Sequence, residues 1–178
     1  MKQFQSVLES KIILRTKAFD VREDVLLFSD SKTSHHITAL HRGAVVMLPR
    51  LENGNFLLVR QYRHSIKESL LEFPAGTLEK FEEPLLAAKR ELVEEVQYSA
   101  EQWLYLGTQY PTPGFCNEIQ HCFLATGLKP QAGTPDDDEI IQVEALSSKE
   151  IENAIVDGRI SDAKSISIYT KAKLRGLL

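Results

Sequence analysis

Residues 76–98 read GTLEKFEEPLLAAKRELVEEVQY, and this stretch decides the fold of the chain. Each residue of an α-helix turns by about 100°, so residues i, i+3 and i+4 share a face. Glu91, Glu94 and Glu95 therefore lie on one side of a predicted helix. The adjoining face is apolar and is predicted to be buried. Its members are Leu85, Ala88, Leu92 and Val96.

Three carboxylates on one side of a surface helix repel one another, since like charges at these spacings destabilise a helix. The arrangement is explained if divalent cations lie among the oxygens, because Mg²⁺ prefers carboxylates, water and substrate phosphate as ligands. The alternative is a solvated acidic face, which is the commoner fate of a glutamate run. The spacing of the wider motif favours the first interpretation.

That wider motif is Gly76, five residues, Glu82, seven residues and then Arg90-Glu91-Leu92-Val93-Glu94-Glu95. It resembles the Nudix box, and the resemblance implies a Nudix hydrolase, an enzyme that splits a nucleoside diphosphate joined to another group. One position departs, because Gln97 stands where the box normally has a glycine. Glycine there suits a left-handed helix C-cap. Glutamine in that conformation would cost about 1 kcal/mol, or else the helix ends differently.

Length and composition set the outer bounds. The 178 residues suffice for one domain with a good core and a small extra lobe. No apolar run approaches the roughly 20 residues of a membrane span, and the first fifteen residues lack the apolar core of a signal peptide. Cys116 and Cys122 are the only cysteines and lack metal-type spacing. We therefore expect a cytoplasmic protein without a membrane partner, and the net charge of -4 argues against nucleic acid.

Two regions are expected along the chain. Residues 1–42 alternate apolar and polar residues and predict a small β-rich N-terminal lobe. The family resemblance implies that this lobe serves dimerisation and substrate contact. Residues 43–178 are predicted to form the catalytic domain. Strands are predicted at 10–15, 19–28, 35–40, 43–49, 56–63, 103–110, 118–125 and 140–146. Further helices are predicted over 149–157, behind a capping-box pattern, and after Asp162.

Several local phrases resemble one Nudix branch, the ADP-ribose pyrophosphatase or nucleoside-diphosphate-sugar hydrolase family. They are Gln61-Tyr62-Arg63, Glu72-Phe73-Pro74-Ala75-Gly76, the segment 110–118 and Asp162-Ala163-Lys164-Ser165. The resemblance implies an α/β fold, an α/β/α sandwich around a mixed sheet. It also implies a homodimer whose N-terminal lobe crosses to the partner. The implied reaction is hydrolysis of ADP-ribose, or a related nucleotide sugar, to a nucleoside monophosphate and a sugar phosphate.

The resemblance also implies a metal site. Glu91 and Glu95 would bind Mg²⁺, Glu94 would share a second ion, and the carbonyl of Ala75 would add a ligand. Mn²⁺ is an alternative ion. The bend at Pro74 and Gly76 fits this assignment, because such a bend can turn a backbone carbonyl outward.

Catalytic roles are expected for the metal-helix residues Glu94 and Arg90 and for an acidic loop. Arg90 would orient the carboxylates through charge-assisted hydrogen bonds, and Glu82 would either reach the metals or orient Arg90. The general base is expected from the loop 136–139. Glu139 and Asp137 are both candidates there, and a solvated acidic turn is the alternative.

Substrate contacts are expected from three residues. Arg63 offers bidentate donors that fit phosphate oxygens, Glu72 would fix Arg63 or the terminal ribose, and Glu118 would lie near the phosphates or ribose. Adenine would stack on Phe19 or Phe28, although core packing is the simpler interpretation of both.

Two rival functions remain open from the sequence. One is the same chemistry on a GDP-mannose-type nucleotide sugar, because the metal helix would be identical. The other is a non-catalytic ADP-ribose sensor, which the full set of motif carboxylates disfavours.

Overall fold

The computed structural model describes residues 2–134 and 141–178. Its strands are β1 (Phe4–Arg15), β2 (Asp20–Phe28), β3 (Thr33–Leu40), β4 (Ala44–Pro49), β5 (Phe56–Arg63), β6 (Glu68–Glu72), β7 (Ala75–Thr77), β8 (Tyr98–Gln109), β9 (Gln120–Pro130) and β10 (Ile141–Leu146). Its helices are α1 (Pro84–Val96), α2 (Ser148–Val156) and α3 (Ala163–Leu174). Within the described residues, none of these helices is long and apolar enough to cross a lipid bilayer.

The chain divides into two compact units. The residues up to Gly43 form the first unit together with Tyr110–Ile119, and the second unit contains Ala44–Gln109 and the described residues from Gln120 onward. The segment Tyr110–Ile119 joins the first unit through backbone hydrogen bonds that link Ala39 with Phe115 and Asn117. Pattern reasoning along the chain did not indicate this long-range assignment.

The first unit is a three-stranded antiparallel sheet in the order β1-β2-β3. All residues of β1 are exposed, including the apolar side chains of Leu8 and Leu14. An exposed apolar strand of this length is unusual on a monomer surface, because such strands tend to pair with other chains.

The second unit contains two sheets. One is antiparallel, in the order β10-β5-β6, and the other is mixed, in the order β7-β4-β9-β8. In the mixed sheet β4 runs parallel to β9, while β7 and β8 are antiparallel to their neighbours. The expected mixed sheet is thereby confirmed.

Strand β4 is buried at every residue because both faces of its sheet are covered. Val45 and Met47 pack in a cluster with Ala87 and Ala88 of α1. Val46 and Leu48, on the other face, pack in a larger cluster that includes residues of α2 and α3. This alternation produces the helix–sheet–helix layering that the resemblance implied.

Most predicted elements are confirmed with shifted ends, and one burial prediction is wrong. Helix α2 begins behind the expected capping box, in which Ser147 and Glu150 hydrogen-bond each other's backbone N–H groups. On α1 the buried apolar face includes Ala87, whereas Leu85 is 37% exposed. Leu85 lies in the first turn of the helix, at its edge toward solvent, so the periodic pattern alone overestimated its burial.

Candidate active site

Helix α1 begins at Pro84, and the C-cap residue that follows it has the strained left-handed conformation. Gln97 has φ 60° and ψ 38°, and its N–H donates to the carbonyl of Val93. Glutamine therefore takes the C-cap conformation that glycine adopts without strain. The first of the two expectations for this position is confirmed.

Gly76 allows the first metal-helix carboxylate to approach the backbone of β7. A Cβ built on Gly76 would lie 1.8 Å from Cδ of Glu91. Any larger residue would therefore displace this carboxylate. The glycine at the start of the motif is explained by this close approach and not by an unusual φ.

Arg90 is the centre of an acid-rich cluster that consists of Arg90, Glu82, Glu91 and Glu94. Its Nε and Nη2 donate to the two carboxylate oxygens of Glu82 at 3.0 Å. Its Nη1 donates to Glu91 at 2.8 Å and to Glu94 at 2.9 Å. One guanidinium therefore orients three carboxylates, and one positive charge faces three negative charges.

The contacts of this cluster shift two pKa values in the expected directions. Hydrogen bonding to Glu82 raises the pKa of Arg90 against an opposing effect of burial, and the charge of Glu91 and the hydrogen bonds to Glu91 and Glu94 raise it further. The hydrogen bond from Arg90 lowers the pKa of Glu82. The ionised forms of both groups are thus stabilised by their contact.

Glu95 lies on the buried side of the same helix. It is 3% exposed, and one of its oxygens accepts a hydrogen bond from the backbone N–H of Ala75 at 3.1 Å. This contact joins α1 to the residue whose carbonyl is expected to be a metal ligand. The helix and the bend before it therefore form one local assembly.

The donor chemistry fits a hard divalent cation. Glu91, Glu94 and Glu95 offer carboxylate oxygens, which Mg²⁺ prefers. As placed, no three Asp, Glu, His or Cys side chains among residues 2–134 and 141–178 converge closely enough to hold an ion. Contacts with Arg90 and with the Ala75 N–H use some of these oxygens. Cation binding would therefore exchange guanidinium contacts for metal contacts.

A second, charge-balanced cluster consists of Arg63, Glu72, Asp162 and Lys164. Arg63 binds Glu72 with two parallel hydrogen bonds, Nε to Oε1 at 2.9 Å and Nη2 to Oε2 at 2.6 Å. Glu72 is only 1% exposed, whereas the Arg63 side chain is 36% exposed. The carboxylate is thus buried, and the guanidinium reaches solvent.

The charge-balanced cluster lies close to one of the expected metal ligands, Glu95. Hydrogen bonding to Glu72 raises the pKa of Arg63, and the charges of Glu72, Glu95 and Asp162 act in the same direction against burial. Arg63 therefore lies within the field of the metal-helix residue Glu95. This brings the expected phosphate-binding residue into the neighbourhood of the expected metal ligands.

Sequence reasoning missed Lys164 as a candidate site residue. Its Nζ contacts the carboxylates of Glu72 and Asp162, although Glu72 is 92 residues away in the chain. The family resemblance included the phrase Asp162-Ala163-Lys164-Ser165, and the position of Asp162 before a helix is typical of an N-cap. Neither signal gave Lys164 a role in the site. No spacing rule connects that position to Glu72.

The remaining predicted residues lie elsewhere. Glu118 belongs to the first unit, whereas the acids of α1 belong to the second. Asp137 and Glu139 lie outside the described residues. Of the two candidate adenine-stacking residues, Phe19 is 42% exposed, and the ring of Phe28 lies 4.1 Å from Nζ of Lys2. The roles of these five residues stay predictions.

These parts match one class of protein, the hydrolases that use helix carboxylates for hard cations and a guanidinium for an anionic phosphate ester. The NUDIX domain model matches residues 40–166, and the chain belongs to the Nudix family. A solved structure described as an ADP compounds hydrolase superposes with a TM-score of 0.86 at 22% identity. It covers 99% of this chain and 98% of that one, which confirms the fold.

Three relatives with described roles span most of the chain. Identity is 32% to the methanol dehydrogenase activator of Bacillus methanolicus, over 91% of this chain and 89% of the relative. It is 34% to the ADP-ribose pyrophosphatase of Bacillus subtilis (strain 168), over 89% of both chains. It is 35% to a GDP-mannose pyrophosphatase of Yersinia enterocolitica, over 76% of this chain and 75% of the relative.

Proposed function

We propose that this protein hydrolyses the pyrophosphate bond of ADP-ribose, or of a related nucleoside diphosphate sugar. The products are a nucleoside monophosphate and a sugar phosphate. The observation that carries the proposal is the acid-rich cluster, in which Arg90 of α1 orients three carboxylates of the Nudix motif, two on the helix and one just before it. The names of the two pyrophosphatase relatives support this class of substrate.

A divalent cation would be held by Glu91, Glu94, Glu95 and the carbonyl of Ala75, and Mg²⁺ suits these oxygens better than softer ions, with Mn²⁺ as the alternative. When bound, it supplies charge neutralisation and lowers the pKa of a coordinated water.

The chain's own residues position the reaction. Before a cation binds, Arg90 holds the carboxylates of Glu91 and Glu94 next to each other, which prepares them for the ion. Arg63, fixed by Glu72, binds the phosphate oxygens and offsets their negative charge. A carboxylate of the acidic loop, Glu139 or Asp137, accepts the proton of the attacking water. The water oxygen bonds to one phosphorus, and the bond from that phosphorus to the bridging oxygen breaks.

A substrate panel tests the proposal. Wild-type protein with Mg²⁺ is incubated with ADP-ribose, GDP-mannose and UDP-glucose, and the products are separated by chromatography and identified by mass. We expect a monophosphate and a sugar phosphate from ADP-ribose at the highest kcat/KM. Highest turnover of GDP-mannose would support the alternative substrate instead. Binding without any product would support a sensor and overturn the enzymatic proposal.

The general base is tested separately. Glu139→Gln and Asp137→Asn each remove one candidate with little change in shape. The variant that lacks the true base should have a kcat about 10²–10⁴-fold lower than wild type. If neither variant slows turnover by more than about threefold, the loop 136–139 does not supply the base.

The assembly proposed is a homodimer formed through the N-terminal lobe. Its support is β1, whose residues are all exposed although many are apolar. Light scattering on the full chain should give twice the chain mass, and Leu8→Glu with Ile13→Glu should give the monomer. A monomeric wild type would contradict this assembly.

The two free cysteines, Cys116 and Cys122, fit the proposed location in a reducing cytoplasm.

A further inference from the structure

The first turn of α3 holds the strand that carries Glu72. Lys164 is 12% exposed, contacts Glu72, and lies 3.0 Å from Oδ2 of Asp162. The N–H of Phe73 donates to Oγ of Ser165 at 2.7 Å. Glu72, the last residue of β6, and Phe73, which follows it, are therefore both held by a helix that begins about 90 residues later in the chain.

Asp162 has two roles in this turn. Its side chain accepts hydrogen bonds from the N–H of Ser165 at 2.9 Å and from its hydroxyl at 2.6 Å. It also pairs with Lys164. The helix cap and the ion pair therefore share one carboxylate, which keeps Lys164 directed at Glu72.

The sharing of Glu72 changes what Arg63 can offer. Glu72 accepts from two cations, Arg63 and Lys164, so its negative charge is divided between them. Arg63 is the more exposed of the two, with 36% of its side chain accessible against 12% for Lys164. Because Lys164 neutralises part of the charge of Glu72, the guanidinium of Arg63 retains positive potential toward solvent.

We propose that Lys164 is a positioning residue for binding of the substrate's diphosphate. Lys164 acts through Glu72, which sets the orientation and the effective charge of Arg63. The proposal rests on the proposed function, because the diphosphate is the group that Arg63 is expected to bind. Lys164 itself is nearly buried and engaged by two carboxylates. It therefore acts on the ligand through Arg63 and not by contact.

The main test is Lys164→Met, which keeps the length of the side chain and removes its charge. Glu72 and Asp162 would then face Arg63 alone, and their excess negative charge would oppose an anionic ligand. We expect KM for the cleaved nucleotide sugar to rise about tenfold while kcat changes less than about threefold. Lys164→Arg should return KM to within about threefold of wild type.

Lys173→Met is the matched control on the same helix. Lys173 pairs with Glu152 at the surface, and its side chain is 53% exposed. Loss of that pair should leave KM unchanged, because neither group belongs to the two clusters. An equal rise of KM in this control would show a general effect of helix charge and overturn the specific role of Lys164.

A double variant separates charge from stability. In Lys164→Met with Asp162→Asn, asparagine still caps the helix, and one unpaired negative charge is gone. We expect KM to return to within about threefold of wild type even though stability stays reduced. If both substitutions only add their destabilisation and KM stays high, the role of Lys164 is structural and the proposal is wrong.

Two readouts do not require turnover. The equilibrium affinity for ADP should fall about tenfold in Lys164→Met and stay unchanged in Lys173→Met. Hydrogen exchange at Nε of Arg63, followed by NMR, should become slower only in Lys164→Met, because Glu72 then binds Arg63 alone. If wild type cleaves no nucleotide sugar, the proposed function fails while these measurements still decide the inference. Unchanged ADP affinity in a folded Lys164→Met variant overturns it.

Discussion

The acid-rich cluster and the balanced cluster are built from the same residue types with different ratios of charge. In the first, Arg90 alone faces Glu82, Glu91 and Glu94. In the second, Arg63 and Lys164 face Glu72 and Asp162 in equal numbers.

The difference in ratio separates two tasks. Surplus carboxylates repel one another and are stabilised by added cations, so the acid-rich cluster is suited to divalent ions. A balanced and buried cluster needs no further ion, and its charges instead hold one guanidinium in place. Under the proposed function, the first cluster would recruit divalent cations, while the second would present the positive charge of Arg63 to an anionic substrate.

Neutralising one acid in each cluster should give the largest contrast. Glu91→Gln removes an expected metal ligand, so kcat should fall by about 10²–10³-fold. Asp162→Asn, in the balanced cluster, should change kcat less than about threefold, because asparagine keeps the helix cap. Steady-state kinetics with ADP-ribose and Mg²⁺ measure both. Equal losses in the two variants would erase the functional distinction between the clusters.

Gly76→Ala sharpens the geometric side of the comparison. The added Cβ would overlap the carboxylate of Glu91, which is the end of a flexible side chain and can move aside. We expect kcat to fall about 10–100-fold while the free energy of unfolding changes by less than about 1 kcal/mol. Urea unfolding and kinetics on the same preparation check this. A large loss of stability would indicate that the backbone, and not the carboxylate, had shifted.

Acid sensitivity should come in part from the acid-rich cluster. The pKa of Glu82 is lowered by Arg90 from its ordinary value of 4.5. This stabilisation is therefore complete above about pH 4.5 and is lost as the pH falls through the lower pKa of the folded state. Glu82→Gln should be less stable than wild type by about 1–2 kcal/mol at pH 6.

Urea unfolding of wild type and Glu82→Gln between pH 3 and pH 6 measures this effect. The stability difference between them should shrink steadily below pH 4.5, since protonation removes the same charge that the substitution removes. A constant difference across this range would mean that the Arg90 contact does not depend on ionised Glu82.

The smallest expected effect concerns the end of the helix that carries the acid-rich cluster. Gln97→Gly relieves the left-handed strain and should stabilise the protein by about 0.5–1 kcal/mol. Gln102→Gly, in the extended strand β8, is the matched control and should destabilise it by about the same amount. Thermal unfolding compares the two. Destabilisation by both would show that the conformation of Gln97 is not strained.

Periodicity alone predicted much of the second unit. The strand expected at 43–49 follows from an unbroken apolar run, and the carboxylate face of α1 follows from residue spacing, because helix geometry is repeated at every turn. For Gln97 the motif left two alternatives, a left-handed C-cap or a different helix end, and the structure has the first. The misplaced burial of Leu85 shows the limit, since the edge of a helix face depends on what packs against it.

The sequence by itself determined which residues carry charge and which faces of α1 they occupy, because i, i+3 and i+4 spacing fixes side-chain direction. Only the tertiary structure decided that Lys164 shares Glu72 with Arg63, and that Glu95 reaches the Ala75 N–H. Such contacts join residues far apart in the chain, so they depend on how the strands and helices close on one another. No local pattern encodes that closure.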